Sequence, residues 1–470
     1  MSTRRVVIIG AGPAGYVAAI RASQLGARVT LIERDRVGGT CLNRGCIPTK
    51  ALLSDSKLLR KLRHSSVFSP LLTEGFNPLT AMMQRKRKVV EELVKGVEML
   101  LDSHRVALKK GRADLLGPGQ VILMDGDGKQ ETLEADAVIL GPGSKSKSLP
   151  NMRPDGKMII TSDEALELEK IPREIIIIGG GYIGAEFATL YNGLGSQVTV
   201  VEVLDDLLPG LEGELVRHFR RSLEGSGVRV LTKSAVDEVS VKEEAVDLTL
   251  KTPQGAQRIS AEKVLLSVGR APLLDLDFSK VGVVTSASGI QVNSRLETSA
   301  PSIYAIGDAV GGILLAHVAS EQGILAAENA MGTSQELEDH PIPLCIFTYP
   351  EMASIGLTEK EARSRGNVKI GRFPFRSNPT AIISGEPEGL VKVIAGRETD
   401  EILGIHIIGS GATVLISIAA SMMRARVTVK EFARYMQAHP TVPEALKEAA
   451  LDVDGMAIHL PKPLRPPDRR

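Results

Sequence analysis

Val6–Gly15 reads VVIIGAGPAG, and Ile175–Gly184 reads IIIIGGGYIG. Each stretch runs on into a helix-like segment and then into a β-branched strand: VTLIE, ending at Glu33, and VTVVE, ending at Glu202. The first glycine and the acid are 23 residues apart in both copies. An internal repeat of this kind is the signal to look for first. Each copy predicts a strand, a glycine turn, a helix and a second strand, so the chain carries two dinucleotide-binding units.

The chemistry of the turns supports that assignment. In Gly10-x-Gly12-x-x-Gly15 and Gly179-x-Gly181-x-x-Gly184, the first glycine permits a tight turn and the second lets backbone approach a pyrophosphate. The third lets the helix pack on its strand. The helix N-terminus then presents N–H groups and a partial positive charge to phosphate. Glu33 and Glu202 stand where a carboxylate accepts hydrogen bonds from an adenosine ribose. A carboxylate at Glu202 repels a 2′-phosphate. Val203 and Leu204 follow it, and neither offers a cation, which favours NAD over NADP.

At roughly 100–200 residues per domain, 470 residues suggest three or four domains. Lysine plus arginine (57) balances aspartate plus glutamate (56), so the global charge gives no signal for nucleic acid or for a membrane surface. Gly404–Met423 carries no charged residue and is long enough to span a bilayer. It divides, however, into a strand-like part, Ile405–Ile408, and a helix-like part, Ala412–Met423, as a buried strand and helix would. Strand-like residues follow Met1 closely, where no signal peptide fits. A cytoplasmic location is expected.

Between the two copies, Ser54–Arg105 has a helical pattern, with Arg85–Lys88 as an expected solvated basic face. Val106–Leu140 reads as short strands with turns at Gly117–Gly119 and Asp125–Gly128. After the second copy, Arg229–Val268 is strand-rich, and YAIGDA (Tyr304–Ala309) ends a further strand. From about 346 the pattern becomes antiparallel, Gly389–Gly396 and Ile402–Ile408 flanking a turn. Thr358 and Glu361 fit a capping box. The tail, Pro461–Arg470, is rich in proline and arginine and is expected to be mobile.

There are three cysteines, too few for a secreted disulfide framework. Cys41 and Cys46 lie in GGTCLNRGCIPTKALL, from Gly38. A close pair in a Cys-poor chain reads as catalytic or metal-binding, but no second Cys/His cluster accompanies it, and no metal is expected. Residues five apart in an ideal helix have Cα atoms about 8–9 Å apart, whereas a disulfide needs less than about 7 Å. The backbone must therefore leave the regular helix here. Gly45 supplies the freedom, Pro48 removes one helical N–H, and a helix beginning near Pro48 would lower a thiolate pKa. Cys345 is expected to be a buried small hydrophobe.

The two glycine turns, GGTCLNRGCIPTK, YAIGDA and HPTVPEALKEAAL occur in an order and with gaps that resemble the dihydrolipoamide dehydrogenases, within the pyridine-nucleotide disulfide oxidoreductases. The resemblance covers roughly Val6 to Leu460. It implies an α/β fold: two Rossmann-like dinucleotide-binding domains, for FAD (1–147) and NAD (148–275), a central domain (276–345) and an α+β C-terminal dimerisation domain (346–470). It implies FAD at Gly10, Gly12, Pro13, Ala14, Gly15, Glu33, Arg34, Gly39, Thr40, Lys50, Ala113, Gly143, Asp308, Ala316 and His317. It implies NAD at Gly179, Gly181, Tyr182, Ile183, Gly184, Glu202 and Gly269. Cys46 would face the flavin and Cys41 would exchange with substrate. Lys50 would sit near the flavin and pair with Glu186, and Tyr182 would cover the flavin until nicotinamide arrives. His439, oriented by Glu444, would be the acid/base. The implied partners are a second copy of the chain in a homodimer and the lipoyl domains of a 2-oxo acid dehydrogenase complex or glycine cleavage system.

The His439 assignment also has a physical basis. Dithiol chemistry needs a base that removes a thiol proton and returns it, and histidine suits that at neutral pH. A carboxylate behind the ring fixes its tautomer. The alternative for Glu444 is a capping box with Thr441. The sequence departs from the usual pattern at Gly141-Pro142-Gly143-Ser144, Tyr349, Arg44 and Pro443. None of these changes removes a catalytic group; they bear on the substrate. Rival readings are another NAD(P)H-dependent disulfide reductase, a mercuric ion reductase (which lacks support, as there is no C-terminal cysteine pair) and a non-catalytic flavoprotein scaffold.

Overall fold

The computed structural model describes residues 3–71 and 78–461. The chain groups into two compact units, one built from Met1–Gly179, Asp237–Thr249 and Arg258–Asp339, the other from Gly180–Val236, Leu250–Gln257 and His340–Arg470.

The first unit is organised on a parallel sheet of five strands in the order Ile303–Ala305, Ala137–Leu140, Arg5–Ile9, Arg28–Glu33 and Ala107–Lys110. The run VVII explains its central position. Side chains alternate across a strand, so Val6 and Ile8 enter one core while Val7 and Ile9 enter another on the opposite face. A strand covered on both faces has to be apolar throughout. On one face lies the helix Pro13–Gln24, packed on the helix Ala316–Ala330. Their contact is made of small residues: a Cβ on Gly323 would stand 2.4 Å from the Ala14 carbonyl oxygen. On the other face, Leu115, Val121 and Leu123 of an antiparallel three-stranded sheet (Arg112–Gly117, Gln120–Met124, Gln130–Glu134) pack against Val7 and Ile9. The strand of the second repeat, Glu174–Ile178, pairs in parallel with Lys263–Leu266, which in turn pairs with Ile159–Ile160.

The helices Cys46–His64 and Leu79–Ser103 take most of the predicted helical stretch. The basic run at 85–88 is not a uniformly solvated face, because Lys86 is buried. At helical spacing it shares a face with Met82, Met83, Val90 and Val94. Its ammonium is satisfied by the Leu166 carbonyl at 2.7 Å and by Glu167.

In the second unit, the helices Tyr182–Leu194 and Gly213–Gly225 accompany the parallel pair Gln197–Val201 and Arg229–Leu231. The C-terminal part is an antiparallel sheet in the order Leu344–Ile346, Met352–Gly356, Ile402–Ile408, Leu390–Gly396, Val368–Pro374. The uncharged stretch near 404–423 resolves into the strand Ile402–Ile408 and the helix Ala412–Arg424, both packed in this core. Among the described residues no helix is long and apolar enough to cross a membrane. Of the proline-rich tail, Lys462 onward lies outside the described residues.

Candidate active and nucleotide sites

Both glycine turns adopt the geometry that their sequence requires. Gly10 (φ +97°) and Gly179 (φ +102°) lie in the left-handed region. A Cβ would stand 2.2 Å from the Gly141 oxygen at Gly10 and 2.6 Å from the Ser267 oxygen at Gly179. Gly15 is pressed against the Gly10 carbonyl, at 1.8 Å from such a Cβ. The middle glycines differ: around Gly12 and Gly181 a Cβ would meet nothing within 4 Å. That open side, at the start of the helices Pro13–Gln24 and Tyr182–Leu194, leaves the first amides without intrahelical partners. Pro13 occupies the first helical position, where it forfeits no hydrogen bond. The fit to a pyrophosphate is good in both places, and Gly39 (φ +55°), whose Cβ would lie 2.7 Å from Gly12 Cα, brings Thr40 beside the first turn.

The two acids have the same job in each copy. Glu33 accepts the Ala11 N–H at 2.7 Å and the Asp35 N–H at 2.8 Å. Glu202 accepts the Gly180 N–H at 2.6 Å and the Leu204 N–H at 2.9 Å. Each carboxylate therefore braces the glycine turn and retains lone pairs for a ribose. Burial pushes the Glu33 carboxyl up, against the Ala11 N–H, which lowers it.

The other expected nucleotide positions are less uniform. Asp308 follows the strand Ile303–Ala305 and accepts the Ser144 hydroxyl. Arg270 in turn donates to Ser144 Oγ at 2.7 Å and to its carbonyl at 2.8 Å. Gly143 (φ +84°) and Gly269 (φ +101°) turn the chain beside this network. The Arg34 guanidinium is held by Asp275 at 2.6 Å. Ala113 is buried in the apolar core. Ala316 and His317 open the helix Ala316–Ala330, and Tyr182 opens its own helix half exposed, with Ile183 next and Gly184 buried.

The cysteine pair sits at a helix break. Cys41 belongs to the short helix Gly39–Arg44, and Cys46 begins the helix Cys46–His64. Gly45 joins them at φ −140°, ψ −113°, where a Cβ would lie 2.9 Å from the Thr40 carbonyl oxygen. The second helix starts two residues earlier than the sequence suggested. Pro48 is accommodated because the first-turn N–H groups have no intrahelical acceptor. Cys46 thus lies at a helix N-terminus, where a thiolate is favoured. The hydrogen bond between the two side chains, together with burial, pushes the Cys41 thiol far up, while the charge of Lys50 pulls the other way. Arg44 turns away to ion-pair with Asp35, and its other nitrogen lies 3.9 Å from Asp163.

In the second unit, His439 Nδ1 lies 2.9 Å from Glu444 Oε1. The other Glu444 oxygen accepts the Thr441 N–H at 2.8 Å. The capping alternative is half realised: Thr441 Oγ1 donates to Ala438 rather than accepting from the helix, which begins at Glu444. Buried Asn378 donates to the Thr441 carbonyl at 3.0 Å and fixes the loop. Burial pushes the Glu444 carboxyl up, but the Thr441 N–H and the His439 ring hold it below the usual carboxylate range. Glu186, also buried, accepts the Phe347 N–H at 3.1 Å.

Residues 4–323 match the family model of pyridine nucleotide-disulphide oxidoreductases, and residues 342–450 match the family's dimerisation domain. The chain belongs to the pyridine nucleotide-disulphide oxidoreductase family. It is similar to a dihydrolipoyl dehydrogenase of Bacillus subtilis, at 42% identity over 97% of this chain and 99% of the relative. It is also similar to the mitochondrial dihydrolipoyl dehydrogenase 1 of Arabidopsis thaliana, at 40% identity over 97% of this chain and 91% of the relative. Among solved structures, LpdA of Mycobacterium tuberculosis superposes with a TM-score of 0.88 at 28% identity, covering 95% of this chain and 99% of that one. The chain is a flavin-dependent oxidoreductase with FAD and NAD as its cofactors.

Several parts of this structure were not legible in the sequence. The Arg270–Ser144–Asp308 chain joins residues more than a hundred positions apart, and no local pattern announces it. Lys392 is 1% exposed and is enclosed by Glu212, Glu214 and Glu359 at 2.8, 2.9 and 2.5 Å. It stands as the single charged residue of an otherwise apolar strand, LVKVIAG.

Proposed function

We propose that this enzyme oxidises protein-bound dihydrolipoyl groups and reduces NAD. The reading is carried by the His439–Glu444 pair, an imidazole held through Nδ1 with its other nitrogen available, in a chain that also holds the adjacent Cys41 and Cys46. Lys50, Glu186 and Tyr182 are read as groups beside the flavin and nicotinamide, and residues 1–147, 148–275, 276–345 and 346–470 as the FAD, NAD, central and interface parts.

With the cysteines in their disulfide form, His439 removes a proton from one substrate thiol. The resulting thiolate attacks Cys41 Sγ. The Cys41–Cys46 bond breaks and Cys46 departs as a thiolate, stabilised by its helix N-terminus. The second substrate sulfur, losing its proton, displaces Cys41 and closes the substrate disulfide. Two electrons now reside on the cysteine pair, one proton on Cys41 and one on His439. Bound FAD supplies two-electron acceptance from the dithiol and hydride transfer to nicotinamide. Glu33, Gly10–Gly15 and Asp308 are read as the residues that hold it.

The C-terminal dimerisation domain supports a homodimer in which His439 serves the cysteines of the neighbouring subunit. The partners are read as lipoyl domains of a 2-oxo acid dehydrogenase complex or a glycine cleavage system. An enzyme that works through an accessible dithiol suits a cytoplasm that keeps thiols reduced. The test is direct: the FAD-loaded enzyme, given dihydrolipoamide and NAD, should form NADH. Failure with dihydrolipoamide, combined with NADH-dependent reduction of another small disulfide, would overturn the substrate assignment and favour a different disulfide reductase.

A further inference from the structure

The hydrogen bonds around Asp308 run outward to an arginine that the reaction above does not use. Ser144 is buried and opens the strand Ser144–Ser146, which pairs antiparallel with Arg270–Pro272. Arg270 grips this one residue twice, Nε donating to Ser144 Oγ at 2.7 Å and Nη2 to the Ser144 carbonyl at 2.8 Å. A guanidinium can only donate. The hydroxyl therefore accepts from Arg270, and its single proton is committed to Asp308 Oδ2. The bond to the carbonyl suffices to tie the two short strands together. The bond to Oγ adds nothing to that pairing and acts on the direction of the hydroxyl, since a serine side chain otherwise has three staggered rotamers. Asp308 is fixed from its backbone as well. Buried Gln322 accepts the Gly307 N–H at 2.7 Å through Oε1. Gly307 (φ +66°) carries Asp308 past the first glycine turn so closely that a Cβ on it would stand 3.2 Å from Ala14 Cβ.

We propose that Arg270 is a positioning residue for FAD: through the Ser144 hydroxyl, its guanidinium holds the Asp308 carboxylate in the orientation that receives the flavin nucleotide. The inference rests on the reading of Asp308 as an FAD residue. With Ser144 on Oδ2, the lone pairs of Oδ1 are left to accept a hydroxyl of the bound group. A hydroxyl polarised by a cation is the stronger donor, so Arg270 strengthens the Ser144–Asp308 bond without touching the carboxylate. A guanidinium bonded directly to Asp308 would take both carboxylate oxygens in a fork. With Ser144 between them the charge is supplied and one oxygen stays available. Arg270 also stands on a fixed backbone. It follows Gly269 (φ +101°). The Lys147 N–H reaches the Gly269 carbonyl at 3.0 Å and the Leu273 N–H reaches the Gly143 carbonyl at 2.9 Å, closing the two-stranded ladder on either side of it.

The experiment follows the exchange of bound FAD for labelled FAD in the full-length holoenzyme, without any substrate. R270M should exchange about tenfold faster than wild type, and S144A about fivefold faster. R270K keeps the charge but not the fork, and should stay within about threefold of wild type. S144A keeps the Arg270 bond to the Ser144 carbonyl, so it reads the hydroxyl alone even if R270M fails to fold. The decisive variants carry D308A. D308A should itself exchange about tenfold faster or more, and adding S144A or R270M to it should change the rate by less than about twofold, because the chain of bonds ends on the carboxylate. Damage to the fold would instead multiply in the double variants. S144A and R270M at the wild-type rate, or double variants that reach the product of the single effects, would overturn the proposal. If D308A exchanges at the wild-type rate, the reading of Asp308 as an FAD residue falls and the inference falls with it. Exchange does not depend on dihydrolipoamide, so the substrate reading stands or falls separately.

Discussion

Glu444 binds His439 Nδ1 through one oxygen, at 2.9 Å, and the Thr441 N–H through the other, at 2.8 Å. The carboxylate is therefore anchored on the same loop that carries the histidine, and the exposed ring is held through Nδ1. E444Q keeps the size of the side chain but removes the charge and lets the amide flip. It should lower kcat for dihydrolipoamide oxidation about 10–100-fold, while NADH-to-flavin reduction, measured by stopped flow, stays within about twofold. Equal losses in both half-reactions would contradict the assigned role.

Lys392 and its three carboxylates give a stability prediction. Burial opposes all four charges, yet their mutual bonds hold Glu212, Glu214 and Glu359 below the usual range, Glu359 at about 2, and raise Lys392. Depressed carboxyls contribute stability above their unfolded pKa of about 4.3, and this is lost as pH falls towards the folded value. Wild type should therefore lose stability between about pH 5 and pH 2. K392M takes the ammonium away from buried Glu212, while Glu214 and Glu359 keep Arg372 and Arg363, and should cost about 3 kcal/mol at pH 7. Denaturant titrations should show the gap between variant and wild type narrowing as pH falls towards 3.

Glu202 accepts the Gly180 N–H of the second glycine turn and the Leu204 N–H just beyond itself, and is read as the carboxylate that faces the adenosine ribose. Wild type should prefer NAD(H) over NADP(H). E202A should lower kcat/KM for NADH about tenfold or more, through two stranded N–H groups, and should narrow the preference. Equal wild-type values for the two cofactors would refute the reading of this carboxylate.

The shared active site is tested by mixing two inactive proteins, C41S and H439A, under conditions that exchange subunits. A heterodimer built on an isologous interface regains one intact site. Activity with dihydrolipoamide should return to about a quarter of the wild-type level for random exchange, half the dimers being mixed with one site each. If mass spectrometry confirms exchange and no activity returns, each subunit works alone.

The sequence by itself determined the repeat and the chemistry attached to it. Gly10, Gly15 and Gly179 are legible because no other residue tolerates a neighbouring carbonyl at 1.8–2.6 Å from Cβ, and the apolar runs beside them are legible because a strand covered on both faces admits little else. Gly45, between two cysteines, likewise signals a broken helix, and a Cβ there would lie 2.9 Å from the Thr40 carbonyl oxygen. Tertiary structure alone decided how the charges were placed. Lys86 lies in a basic run and Lys392 in an apolar strand, yet both are buried against carboxylates of other segments, Glu167 lying 81 residues from Lys86 and Glu212 180 residues from Lys392. Ser144 meets Asp308 and Arg270 across more than a hundred residues, and His459 returns to Glu448 only because Gly455 reverses the chain. Local sequence encodes backbone sterics and periodicity, which act over a few residues. The partner of a buried charge is set by which distant segments the fold brings within hydrogen-bonding reach.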